Sequence, residues 1–79
     1  MLLFTVEDRF LITGLGIVLA PGLGKTMAKV NDKIRLIKPD KTTIDTTIQG
    51  IIFETKGILI GAHLTKADIP IGTEVWLVE

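Results

Sequence analysis

Apolar residues in this chain come in short runs of strand length, and Gly, Pro, Asn or Asp interrupts each run before a helix could complete three turns. No long window shows sustained i, i+3, i+4, i+7 spacing, whereas β-branched Ile, Val and Thr are abundant. Strands are therefore expected over Leu2–Val6, Arg9–Thr13, Gly16–Ala20, Lys33–Lys38, Thr42–Phe53, Ile58–Leu64 and Glu74–Val78. Turn chemistry separates them. Gly14 and Gly16 can take positive φ, Asn31-Asp32 and Pro39-Asp40 suit tight turns, and Gly57 closes a further reversal. Along Thr42–Gly50, Ile44, Thr46, Ile48 and Gly50 share the expected inward face, opposite Asp45, Thr47 and Gln49. One helical turn fits between Thr65 and Pro70, ending before the proline. Six or seven short strands leave many sheet edges, and closure into a small barrel removes them. The expectation is one all-β domain over residues 1–79, a closed six-stranded Greek-key-like barrel.

Composition narrows the function. With 47% apolar and 23% charged residues the chain can bury a core and is not a disordered segment. It has no Cys, Ser or Tyr, which removes thiolate metal sites, cysteine nucleophiles and serine hydrolase triads. The formal charge is zero, unlike the strongly positive field of a general nucleic-acid binder. The longest low-charge run, Phe10 to Leu23, contains Gly14, Gly16, Pro21 and Gly22 and falls short of the ~20 residues of a membrane span. Glu7 and Asp8 dilute the basic flank a signal peptide would need at Arg9, so a cytoplasmic location is expected.

The order of residues then carries a resemblance. Phe4-Thr5-Val6-Glu7-Asp8-Arg9-Phe10, followed by Ile12-Thr13-Gly14-Leu15-Gly16, Lys29-Val30-Asn31-Asp32-Lys33-Ile34, Thr47-Ile48-Gln49-Gly50-Ile51 and Asp68-Ile69-Pro70-Ile71-Gly72-Thr73-Glu74-Val75, resembles the second domain of translational GTPases of the elongation factor Tu family. The resemblance spans nearly the whole chain and implies a closed six-stranded β-barrel. The departures bear on function. Leu15 stands where the family carries an arginine and Ile52 where it carries an acidic residue, and the alanine-glycine-aspartate loop expected between Lys56 and Ile58 is missing. In members that bind aminoacyl-tRNA those regions help hold the charged acceptor end, through polar contacts that Leu15 and Ile52 cannot make. These residues include no GTPase domain, so the resemblance implies a stand-alone scaffold without hydrolysis.

Four local features have a chemical reading. Pro21-Gly22-Leu23-Gly24-Lys25-Thr26 looks like the end of a phosphate-binding loop, but Leu19 occupies the position of the first glycine and no long helix can follow before Asn31-Asp32. It reads as an inter-strand loop, and no nucleotide, cofactor or metal is expected. His63 is the single histidine, which makes no metal site by itself. Glu7 and Asp8 point to opposite faces of a strand and read as turn residues rather than a paired acid and base. Lys25, Lys29, Lys33, Arg35, Lys38 and Lys41, against Asp32 and Asp40, give a net +4 over residues 25–41. That segment can meet RNA phosphate or an acidic protein, or simply be a solvated edge; it contains no aromatic residue to stack on bases.

Surplus apolar residues are the last feature. Ile51-Ile52-Phe53 are consecutive, so a strand must send at least one outward, and Leu3, Ile37, Leu59, Trp76 and Val78 are further outward candidates. Leu15, Ile52, Phe53, Leu59 and Trp76 form the expected apolar interface. The resulting expectation is a non-enzymatic β-barrel serving as a protein-interaction module, with a second copy among its candidate partners. The alternative is an RNA- or ribosome-associated module that uses the basic segment.

Overall fold

The computed structural model describes residues 1–24, 27–52, 54, 56–61 and 64–78. Eight strands follow in chain order: β1 (Leu2–Thr5), β2 (Asp8–Ile12), β3 (Gly16–Ala20), β4 (Lys33–Ile37), β5 (Thr43–Thr47), β6 (Gly50–Ile51), β7 (Ile58–Ile60) and β8 (Glu74–Leu77). A single 3₁₀ turn, Lys66–Asp68, is the only helix among the described residues. It lies where one helical turn was expected, and Asp68 Oδ2 accepts from both the Thr65 amide at 2.8 Å and its hydroxyl at 3.1 Å.

The strands form two four-stranded sheets, ordered β1-β8-β4-β5 and β2-β3-β7-β6, with every pair antiparallel. Ladders among the described residues make these two sheets rather than one closed circuit. The chain crosses between them at two corners. Val6 donates to Thr73 O (2.8 Å) and accepts from Gly72 N (2.9 Å) on the side of the first sheet, while the next amide, Glu7, donates to Ala20 O of β3 at 2.8 Å. Likewise Ile48 donates to Asp32 O at 3.0 Å, and Gln49 donates to Leu59 O of β7 at 2.9 Å.

The second corner corrects the single strand expected over Thr42–Phe53. Its alternation continues through Ile48, but backbone bonding changes sheets at Gln49, so Ile44, Thr46 and Ile48 serve the first sheet and Gly50 the second. Alternation reports which side is apolar and not which neighbour is bonded. The strand expected over Ile58–Leu64 is Ile58–Ile60 among the described residues; Phe53 and His63 lie outside them.

Inward positions fill the space between the sheets. Ile17 and Leu19 of β3, Ile34 and Leu36 of β4, Ile58 and Ile60 of β7, and Val75 of β8 are completely buried, joined by Ile48 at one corner and Ile69 after the 3₁₀ turn. Leu3, an outward candidate, is instead part of this core. β4 shows why the alternation was readable: Ile34 and Leu36 point in, while Lys33 and Arg35 point out.

Turns follow their residues. Leu15 N donates to Ile12 O at 3.0 Å across the β2–β3 turn, with Gly14 third in the turn at φ 82°, the value a type II turn requires there. Asn31 takes φ 78° within the Lys29–Asp32 turn, where Asp32 N donates to Lys29 O at 3.0 Å.

Candidate interaction surface

The second sheet has an apolar outer face. Cross-strand register places Phe10 opposite Val18, Val18 opposite Leu59, and Leu59 opposite Gly50. Ile17, Leu19, Ile58 and Ile60 turn into the core, so their strand neighbours Val18 and Leu59 face outward. Val18 is only 8% exposed yet is not a member of the main core. The Leu59 side chain lies over Gly50, where a Cβ would come within 3.3 Å of it. Phe10 is 50% exposed and Ile12 36%.

These residues surround a hollow of about 510 Å³ lined by Phe10, Ile12, Val18, Ala20, Pro21, Ile52 and Gly57. None of them carries a charge. At the outward positions of β2, β3, β7 and β6 the one charged residue is Asp8, at the far end of β2, where its Oδ1 accepts from the Arg9 amide at 2.8 Å. An antiparallel sheet with one face on a core ordinarily presents a polar second face to water. This sheet does not.

The expected apolar residues divide between places. Ile52 and Leu59 belong to this face, and Leu15 is exposed at the β2–β3 turn beside it. Trp76 sits on the first sheet, opposite Arg35, and its ring N–H donates to Glu74 Oε1 at 2.9 Å. Phe53 lies outside the described residues. Phe10, Ile12 and Val18 were missed, although the argument applied to Ile51-Ile52-Phe53 holds equally for Phe10-Leu11-Ile12: consecutive apolar residues on a strand cannot all face inward.

The described cations of the basic segment do not converge. Lys29 lies in the turn before β4, and Lys38 and Lys41 lie in the turn after it, separated by a strand of roughly 16 Å. Lys33 and Arg35 share the outer face of β4, but Arg35 is committed to Asp45 of β5, Nε to Oδ1 at 2.7 Å and Nη2 to Oδ2 at 3.1 Å. Lys25 lies outside the described residues. The neighbouring glycines belong to a connector between β3 and β4: Leu23 enters the core and donates its amide to Lys56 O at 3.0 Å. No helix follows this connector among the described residues, so nothing there presents a helix N-terminus to a phosphate.

Arg35 holds the Asp45 carboxyl below the usual aspartate range, chiefly through its side-chain hydrogen bonds, and Asp45 in turn raises the guanidinium. Asp40 is held low as well, first by the Thr42 hydroxyl at 2.6 Å and then by the Thr42 amide at 3.0 Å. Both carboxyls therefore contribute stability that is complete above the unfolded value of about 3.9 and is lost as pH falls through the lower folded-state values. Both groups face solvent, so salt screens the contribution. Asp45→Asn is expected to lower Tm slightly at pH 7, with the difference closing as pH falls below the usual aspartate range and in about 1 M salt. A difference that persists under both conditions would show that the pair is not acting electrostatically.

Among the described residues no group of three or more potential metal ligands is present, and no helix is long and apolar enough to cross a membrane. No protein-family model, curated protein or solved structure matches the chain.

Proposed function

We propose that this protein is a non-catalytic interaction module on a six-stranded barrel resembling the second domain of translational GTPases, and that the outer face of β2-β3-β7-β6 is its working surface. The observation that carries the interaction reading is that face: uncharged along its strands except at Asp8, hollowed, and flanked by a half-exposed Phe10. Such a surface is costly to leave wet and is the usual mark of a docking site.

The barrel reading is supported by the two corners. Taking β1 with β2, and β5 with β6, as single bent strands gives a ring in the order β1/β2, β3, β7, β6/β5, β4, β8, with every neighbouring pair antiparallel. Bent strands that serve two sheets are how a small sandwich closes at its corners. The translation-factor likeness rests on the order of residues in the segments quoted above, and it concerns the scaffold rather than any inherited activity. The RNA reading has less support, since the basic residues are spread along β4 and Arg35 already has its partner.

Affinity capture with the tagged native chain and with Phe10→Asp, both verified as folded by circular dichroism, tests the assignment. A protein recovered by the native chain, lost with Phe10→Asp and indifferent to nuclease is the expected result. Recovery that nuclease abolishes, that survives Phe10→Asp and that falls with the Lys33→Glu/Arg35→Glu double variant would contradict it and support RNA.

A further inference from the structure

We infer that the free edge of β2 takes an extended apolar segment of a partner protein as an added antiparallel strand, hydrogen-bonded at Leu11 and flanked by Phe10 and Ile12. This rests on the proposed interaction module and names the kind of partner it takes.

β2 lies at the end of its sheet, and register shows which of its backbone groups lack a neighbour. Ala20 O accepts from Glu7 N at 2.8 Å, so β3 directs Ala20 towards the β2 side and, by alternation, Val18 and Gly16 as well. Their register partners are Phe10 and Ile12. Leu11 lies between those two, so its N–H and C=O point away from β3. On that side the bonding to the segment before β8 stops at Val6, which pairs with Gly72 and Thr73. The 3₁₀ turn meets β2 through a side chain, Arg9 Nη2 donating to Lys66 O at 3.4 Å, and the Arg9 amide is taken by Asp8 Oδ1 at 2.8 Å. From Phe10 to Ile12 no described segment pairs with the edge.

The side chains select the same occupant. Phe10 and Ile12 sit on the outer face, whereas Leu11, opposite the buried Ile17, sits on the inner side and is still 60% exposed. A partner packed flat on the outer face would leave Leu11 and its backbone groups wet. A strand laid along the edge covers all three side chains and pairs the backbone, which is how sheet edges take extended peptides. The chain carries no charge from Phe10 to Leu23, so uncharged residues belong opposite this stretch.

The other three edges carry features that ordinarily block such pairing. β1 has a register irregularity between Leu2 and Phe4, β6 is two residues long, and β5 presents Asp45 among three threonines. Between Phe10 and Ile12 β2 has none of these. Its open stretch is bounded by the capped Arg9 amide at one end and the Thr13–Leu15 turn at the other, so it fits about three extended residues and binds them weakly.

The test is an NMR titration of the isotope-labelled full chain with a capped heptapeptide, lysine-threonine-valine-valine-valine-threonine-lysine, up to about 2 mM. Amide shifts should centre on Leu11 and its neighbours in β2, and exchange of the Leu11 amide proton should slow as the peptide saturates. N-methylation of the central valine keeps the side chains but removes a backbone donor, and should weaken binding at least about fivefold. Leu11→Asp, at an exposed position outside the outer face, should weaken it at least about tenfold. No shifts at any concentration would overturn the inference. So would equal binding of the N-methylated peptide, or shifts centred on Val18, Leu59 and Ile52 with Leu11 unmoved, which would place the ligand on the outer face. The proposed function fails separately: a chain that binds no peptide but still recovers a protein through Phe10 would refute the added strand and leave the interaction module standing.

Discussion

Gly16→Ala is expected to destabilise the protein by about 3 kcal/mol, a cost that combines backbone strain with overpacking. Gly16 opens β3 at φ 140°, a backbone conformation that side chains rarely adopt, and a Cβ built there would run into the carbonyl oxygen of Ile60. The obstacle is backbone of the adjacent strand β7, so a rotamer change cannot relieve it. Because each 1 kcal/mol shifts Tm by roughly 4–8 °C in a domain of this size, a fall of roughly 12–24 °C is predicted. Gly14→Ala is the control. Its φ is 82° but nothing lies within 4 Å of the added carbon, so its cost is the backbone penalty alone, about 1 kcal/mol. Equal losses at the two positions would mean that the close approach of β3 to β7 does not constrain the sheet.

Leu19→Ala should cost about 3 kcal/mol or more, within the 2–5 kcal/mol found for deleting a buried leucine side chain. Leu19 is completely buried in the middle of its sheet, paired with Arg9 on β2 and Ile58 on β7, and the sheets around it leave little freedom to collapse into the void. For a chain with one small core this is a large share of the total stability, and urea unfolding should show a much lower midpoint with an unchanged slope. Leu15→Ala provides the contrast. Leu15 is 58% exposed at the β2–β3 turn, and its removal should change stability by less than about 0.5 kcal/mol. Two leucines of one hairpin would then differ several-fold in effect, one buried in the core and the other exposed at the turn.

That difference marks the limit of what the sequence made legible. Where one side of a strand is apolar and the other polar, as in Lys33-Ile34-Arg35-Leu36, the strand was legible, and its period-2 alternation matches the buried Ile34 and Leu36 and the exposed Lys33 and Arg35. The β2–β3 hairpin offers no such contrast, because Phe10-Leu11-Ile12 and Ile17-Val18-Leu19 are apolar on both sides. The strands were recognisable there, but the outward face was not, and so Phe10, Ile12 and Val18 escaped notice. The sheet change at Ile48–Gln49 was hidden for a different reason. It alters which strand accepts each amide while leaving the side-chain order intact. The basic segment was legible as charge, but its separation into two turns and a paired Arg35 depends on cross-strand register, which composition does not contain.

The most direct measurement compares the outer faces of the two sheets in living cells. A photo-crosslinking amino acid is placed at Ile12 on the second sheet or at Asp45 on the first, in separate variants confirmed to be folded. Protein adducts, including those with a second copy of the chain, should form predominantly from position 12 and disappear when Phe10→Asp is added. Adducts that form equally from both positions, or chiefly from position 45, would contradict the assignment of the apolar face as the working surface.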